Sequence, residues 1–176
     1  MPNLRRDDSE TRRGPLAVRP ATDDDWDGIY PIFCQVVDEG RSYAYPEGLS
    51  SRDAKALWME PAPAATIVAV VGDRIGGTAK MGPNRPGRGA HVATASFMVD
   101  PGLRRLGVAT ALANHVVDWC RSSGYRAIQF NAVVETNTAA VALWQRLGFV
   151  ILATVPEAFD DAVAGLVGLH VMFLAL

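Results

Sequence analysis

Cysteine is nearly missing from this sequence, and Cys34 and Cys120 stand far apart. Two isolated thiols give neither a disulfide framework nor the paired spacing of a metal knuckle. Each lies in apolar, helix-compatible sequence and reads as a reduced, buried side chain, and no metal site is expected. Long apolar runs are missing too. None nears the ~20 residues that span a bilayer, and the opening MPNLRRDDSETRRG is charged where a secretory leader would be apolar. A cytoplasmic protein with no membrane partner is the expectation. Excess charge of one sign is absent, at a formal net charge of -2, which argues against a broad basic surface for nucleic acid. Lysine is scarce, with two residues against 15 arginines. Neither a G-x-x-x-x-G-K-S/T loop nor a G-x-G-x-x-G turn occurs, which excludes two familiar phosphate motifs.

What is present is enough for one well-filled domain and too little for two: 176 residues, 49% hydrophobic and 20% charged. Residues 1–14 mix arginines with acids and hold almost nothing to bury, so a disordered tail is expected there and a folded domain over 15–176.

The most informative stretch runs from Ala95 to Cys120. A β-compatible run, Ser96-Phe97-Met98-Val99, is stopped by Asp100-Pro101-Gly102 and passes through Leu103-Arg104-Arg105-Leu106-Gly107 into apolar residues at Val108, Leu112, Val116, Trp119 and Cys120. That spacing is helical. The loop thus aims free backbone N–H groups, at the positive end of a helix, toward any anion that arrives. Gly107 leaves the amides uncovered, and Arg104 and Arg105 add charge-assisted donors.

The wording Arg104-x-x-Gly107-x-Ala109 resembles the acyl-CoA-binding motif of the GNAT superfamily of N-acetyltransferases. A second match follows at Asn137-x-x-Ala140-x-x-Leu143-Trp144-x-x-x-Gly148-Phe149. The resemblance covers roughly residues 16–174. It implies an α/β (α+β) GNAT fold, with a mixed, mostly antiparallel sheet of six to seven strands, a splayed central strand pair and about four flanking helices.

Taken in order, the chain supplies those elements. Leu16–Pro20 reads as a strand, and Thr22 or Asp23 opens a helix with Trp26, Ile29, Ile32, Phe33, Val36 and Val37 on its apolar face. Pro31 should kink or divide that helix. A short helix is expected near Ser51–Met59, then a hairpin of 66–71 and 75–81 about Gly72-Asp73-Arg74. Gly82–Gly89 is too rich in Gly and Pro for regular structure and suits a lid, and His91–Val99 is the central strand. A further strand at 127–133, a helix opened by Asn137 or Thr138, and strands at 150–155 and 169–174 complete the order. The segment 156–168 reads equally as loop or part helix. Two uses of Val167–Leu176 stay open, a strand at a homodimer interface or one inside its own sheet.

The resemblance also implies roles. Acetyl-CoA would be the acyl donor. The backbone of Phe97, Met98 and Val99 would pair with its pantetheine arm, and the loop of Arg104, Arg105, Leu106, Gly107, Val108 and Ala109 would hold its diphosphate. Asn137 would bond the arm from the other side, beside Trp144. Many relatives carry at the Trp144 position a tyrosine that protonates the leaving thiolate, and an indole N–H cannot serve as that acid. Tyr43, Tyr45 or water would take its place, or CoA would leave as thiolate. Glu39, His91 and Glu135 are the candidate general bases.

Gly40–Pro46, Gly82-Pro83-Asn84-Arg85-Pro86 and Phe130-Asn131-x-x-x-x-Thr136-Asn137 look like the members that acetylate azetidine-2-carboxylate and related proline analogues. Asn131 would then help bind the acceptor between Tyr43 and Tyr45, and Thr94 stands where that group has a catalytic asparagine. The expected partners are therefore acetyl-CoA and a small-molecule amine. A peptide amine as acceptor, or an acyl-CoA sensor without turnover, are the alternatives.

Overall fold

The computed structural model describes residues 14–176. Apart from Gly14, the expected disordered tail lies outside the described residues. Seven strands form one sheet in the order β1-β2-β3-β4-β5-β7-β6. They are β1 (Leu16–Pro20), β2 (Ala65–Val71), β3 (Arg74–Pro83), β4 (Val92–Val99), β5 (Ala127–Val134), β6 (Val150–Asp161) and β7 (Gly165–Ala175). Four helices flank it: α1 (Trp26–Asp38), α2 (Ser51–Trp58), α3 (Val108–Ser122) and α4 (Thr138–Arg146). None is long and apolar enough to cross a membrane.

Every strand pair is antiparallel except β4 and β5. That parallel pair touches only at Val92–Ala127 and Ala93–Ile128, after which the strands diverge. The sheet is thus splayed at its centre, and β4 keeps a bonded neighbour only on its β3 side.

Alternation along the strands divides the core into two layers. Ile67, Ala79, Ala93 and Phe97 face α3 and α4, packing on Leu112, Val116, Leu143 and Trp144. Val68 and Met98 face α1 and α2, against Ile29, Phe33 and Trp58. Pro31 does not divide α1, which runs unbroken from Trp26 to Asp38. Proline here sits on the exposed side and little more than one turn from the helix start, so only one early ladder bond is lost.

The undecided segment 156–168 is neither loop nor helix. β6 continues through it to Asp161, and a tight turn leads into β7 at Gly165. β7 lies between β5 and β6, so the strand that carries Val167–Ala175 is inside the sheet, and β6 forms the edge on this side. The turn is tied down by Asp161, whose buried carboxylate accepts hydrogen bonds from the Thr136 hydroxyl (2.7 Å) and from the amides of Val163 (2.9 Å) and Ala164 (3.0 Å). Arg41 adds an ion pair at 3.4 Å, and Ala162 N–H donates to the Gly40 carbonyl at 3.0 Å. One carboxylate therefore joins the β6–β7 turn, the segment after α1 and the approach to α4.

These donors, the Thr136 hydroxyl foremost, lower the Asp161 pKa to about 2. Because the folded value lies below the unfolded ~3.9, the stabilisation is complete above about pH 4 and is lost as pH falls through about 2. Asp161→Asn should lower the urea midpoint at pH 6, and its deficit against the parent should shrink between pH 4 and 2. Parallel midpoints over that range would show that the carboxylate carries no pH-linked stability.

Candidate functional site

The site begins where β4 hands over to α3. Asp100 caps a 3-10 turn at Pro101–Leu103, its carboxylate accepting from Gly102 N–H at 2.8 Å. The chain then takes two left-handed residues, Arg105 (φ 67) and Gly107 (φ 78), before α3 starts. The first described bond of that helix is Ala111 N–H to the Gly107 carbonyl at 2.9 Å, so the amides of Val108, Ala109 and Thr110 have no helical partner. A Cβ at Gly107 would meet nothing within 4 Å, which means the residue borders open space, where an anion can come close to the amides. Val108 is buried and Leu106 packs partly against the core, fixing the loop from below.

Arg104 donates to both oxygens of Glu39, at 3.0 and 2.9 Å, while Arg105 is exposed. Glu39 is thereby placed at the anion loop, held in an ion pair.

Beyond this loop lies the open edge of β4. Register with β3 turns the backbone groups of Ala95, Phe97 and Val99 toward the splay and those of Met98 toward β3. Met98 therefore offers no backbone to a ligand, and its side chain is buried between sheet and α1. Tyr43 occupies part of this edge. Its hydroxyl donates to the Phe97 carbonyl at 2.7 Å and accepts from Phe97 N–H at 2.8 Å, replacing the strand partner that β5 no longer supplies. Burial pushes the phenol well above its ordinary pKa, so it stays protonated throughout the physiological range. The expected acceptor wall is thus a residue that touches β4 directly.

Across the splay, Asn137 caps α4 through its side-chain oxygen, which accepts from Ala140 N–H at 3.2 Å, and its amide nitrogen reaches Ser42 at 3.4 Å. Trp144 is buried, with ring centroids 4.7 Å from Phe97 and 4.9 Å from Phe130. Its place is in an aromatic cluster that fixes α4 against both diverging strands.

A cavity of about 480 Å³ opens on the α2 side of β4 and is lined in part by Tyr45, Glu60, Lys80, Thr94, Ser96 and Asn131. Strict alternation along β5 predicts Asn131 and Val133 on one face, but a bulge after Phe130 breaks the register. Asn131 is exposed, donating to Asn84 at 2.7 Å and accepting from Gln129 at 2.8 Å. Asn84 in turn bonds Val92 through its backbone, so the segment expected to be a lid is fastened at its start, with a 3-10 turn at Gly87–Gly89.

Two other candidates lie elsewhere. His91 is exposed before the start of β4, its Nδ1 3.1 Å from the Arg88 carbonyl. The Glu135 carboxylate accepts a short bond from Gly168 N–H, clamping β5 to β7. Neither lines the cavity. Glu60, Lys80 and Ser96, which sequence reasoning passed over, do. The available signal was a lysine in the middle of an otherwise uncharged run, Gly76-Gly77-Thr78-Ala79-Lys80-Met81. A larger groove of about 580 Å³ lies along α1 and β3, where Arg19 and Arg74 are already paired with Asp25 and Asp100.

A splayed β4–β5 pair leading from an anion-ready helix start defines an acyl-transferase scaffold. The chain belongs to the acetyltransferase (GNAT) family, whose pattern it matches over residues 26–149. A GCN5-related N-acetyltransferase from Kribbella flavida is 53% identical, with a TM-score of 0.89 over 92% of this chain and 98% of that one. The YncA acetyltransferase of Salmonella typhimurium, solved with acetyl-CoA, shares the fold at 20% identity and a TM-score of 0.78, over 92% of this chain and 94% of that one. The N-acetyltransferase aca1 of Schizosaccharomyces pombe is 34% identical over 76 residues, 43% of this chain and 36% of that protein's length.

Trp144 makes a direct test of the aromatic cluster. Trp144→Phe should cost ~1–3 kcal/mol of stability, the scale of a buried aromatic truncation, read as a fall in denaturant midpoint. An unchanged midpoint would mean that Phe97 and Phe130 hold α4 without it.

Proposed function

We propose that the protein transfers the acetyl group of acetyl-CoA to the nitrogen of a small-molecule amine. The observation that carries this reading is spatial continuity. The anion-ready amides at Val108 and Ala109 at the start of α3, the open β4 edge at Val99, Phe97 and Ala95, and the cavity between Thr94 of β4 and Asn131 of β5 follow one another along the splay. A diphosphate at the first, a pantetheine arm along the second and an amine in the third place the thioester beside the acceptor.

In this arrangement Arg105 and the loop amides hold the diphosphate, and Arg104 turns from Glu39 toward it or serves as its outer rim. Val99 and Ala95 pair with the arm. The arm also reaches Phe97 when the Tyr43 hydroxyl shifts to bond the thioester side of the edge. A protonated phenol at that point is a donor near the departing sulfur, which Trp144 is not. Tyr45, the Asn131–Asn84 amide pair and Thr94 shape the acceptor pocket. Among the described residues one Asn131 amide hydrogen has no partner, which suits the carboxylate of a compact amino acid such as a proline analogue.

Gly107→Asp adds bulk and negative charge where the diphosphate would lie. It should abolish the thermal shift given by acetyl-CoA, a loss of about 2.7 kcal/mol at 100-fold excess over Kd, while circular dichroism of the free protein stays the same. An unchanged Kd for acetyl-CoA would discard the loop assignment. For the acceptor, azetidine-2-carboxylate or a hydroxyproline should be acetylated faster than a lysine peptide at equal subsaturating concentration. Asn131→Ala should lower kcat/KM about tenfold to a thousandfold, as when one or two polar contacts are lost. Faster transfer to the peptide, or an Asn131→Ala enzyme equal to the parent, would leave only the broader transferase reading. Tight acetyl-CoA binding with no thiol released to any amine would instead mark a sensor.

A further inference from the structure

One charged pair faces the acceptor cavity and is used by nothing described so far. Lys80 lies mid-strand in β3, between Thr66 on β2 and Ser96 on β4. Its side chain is only 19% exposed. The ammonium donates to the Leu57 carbonyl at 2.7 Å and to Glu60 Oε1 at 2.9 Å, and sits 5.8 Å from the centre of the Trp58 ring. Glu60 is fixed as firmly. Its N–H donates to the Thr66 hydroxyl at 3.0 Å, which itself donates to the Trp58 carbonyl at 3.1 Å. Among the described residues Glu60 Oε2 has no partner, and the side chain is 34% exposed on the cavity wall.

A lysine and a glutamate held this rigidly, from the end of α2 and the centre of the sheet, are an arrangement for fixing one carboxylate oxygen in space. Glu60 lines the same cavity as Thr94, Ala95 and Ser96, at the start of the open edge of β4. We propose that Glu60 receives the acceptor amine and its proton, and that Lys80 is the positioning residue for Glu60, so that the acceptors are small amines entering as ammonium ions. This rests on the transfer function proposed above. Glu60 Oε2 takes one proton from the ammonium. The freed lone pair then attacks the thioester carbon, the N–C bond forms as the C–S bond breaks, and the second N–H proton passes to the departing sulfur, yielding amide and free thiol.

The test measures thiol release from acetyl-CoA with azetidine-2-carboxylate and a panel of small primary and secondary amines. Glu60→Gln should lower kcat/KM at least a hundredfold for every amine that the parent accepts, flatten the acid limb of the pH profile, and leave the Kd for acetyl-CoA within twofold. Glu60→Asp should recover part of the loss. Lys80→Met should raise KM for the amine about tenfold with a smaller change in kcat, and circular dichroism establishes that it folds. A Glu60→Gln enzyme within threefold of the parent, with the same acid limb, overturns this assignment and leaves the transferase intact. No thiol release by the parent with any amine, despite acetyl-CoA binding, overturns both.

Discussion

The structure depends on a strand pair that parts after two residues. Once β4 leaves β5 at Ala93 and Ile128, peptide groups in the middle of the sheet lose their expected partners. Such groups cost free energy when buried dry, so each must find water, a side chain or a ligand. Phe97 finds the Tyr43 hydroxyl, which satisfies its donor and its acceptor together. The segment after α1 is thereby bound to the centre of the sheet by a side chain in place of a strand. Around it Tyr43 stacks on Tyr45 with centroids 5.5 Å apart, and Tyr45 on Phe33 at the same distance. Stacked pairs of this kind add about 0.5–1.5 kcal/mol each beyond their burial, and here they also fix the wall of the cavity.

The electrostatics of the two ends differ in the same way. At the loop before α3 the charges are exposed: Arg105 is in no ion pair among the described residues, and Arg104 shares an exposed pair with Glu39. Such pairs are weak and easily exchanged for a stronger anion. At the cavity the one ammonium is held by a helix-end carbonyl, a carboxylate and an aromatic ring. One end of the path can rearrange around a large, highly charged ligand, while the other presents a fixed shape to a small one.

Much of this was legible in the sequence because it is local. The strand, the Asp100-Pro101-Gly102 stop, the glycine at the helix start and the Asn137 cap are all settled within a few residues, and the structure has each where the spacing puts it. The mixed sheet and its splay were implied by the resemblance to GNAT domains. What could not be read were pairings across the chain. Glu39 meets Arg104 and Glu135 meets Gly168 only after folding, and a carboxylate used in either way looks no different in sequence from a free one. The bulge after Phe130 reverses the expected facing of the residues that follow it, an event that strict alternation cannot anticipate. Lys80 and Glu60 are 20 positions apart and share no motif, so nothing in their spacing announces a pair.

β6 closes the sheet on one side, and every residue from Val150 to Ala158 on it is exposed. Its first half, Val150-Ile151-Leu152-Ala153-Thr154-Val155, carries no charge and no proline, the composition that templates strand addition between chains. The second half undoes this. Pro156 removes a donor, Glu157 takes a left-handed conformation (φ 49), and the pairing with β7 slips between Val155 and Phe159. The uncharged stretch of edge is therefore limited to six residues, itself broken by a register shift between Ile151 and Ala153, and Pro156 and Glu157 stand where a sequence places gatekeepers beside such a strand.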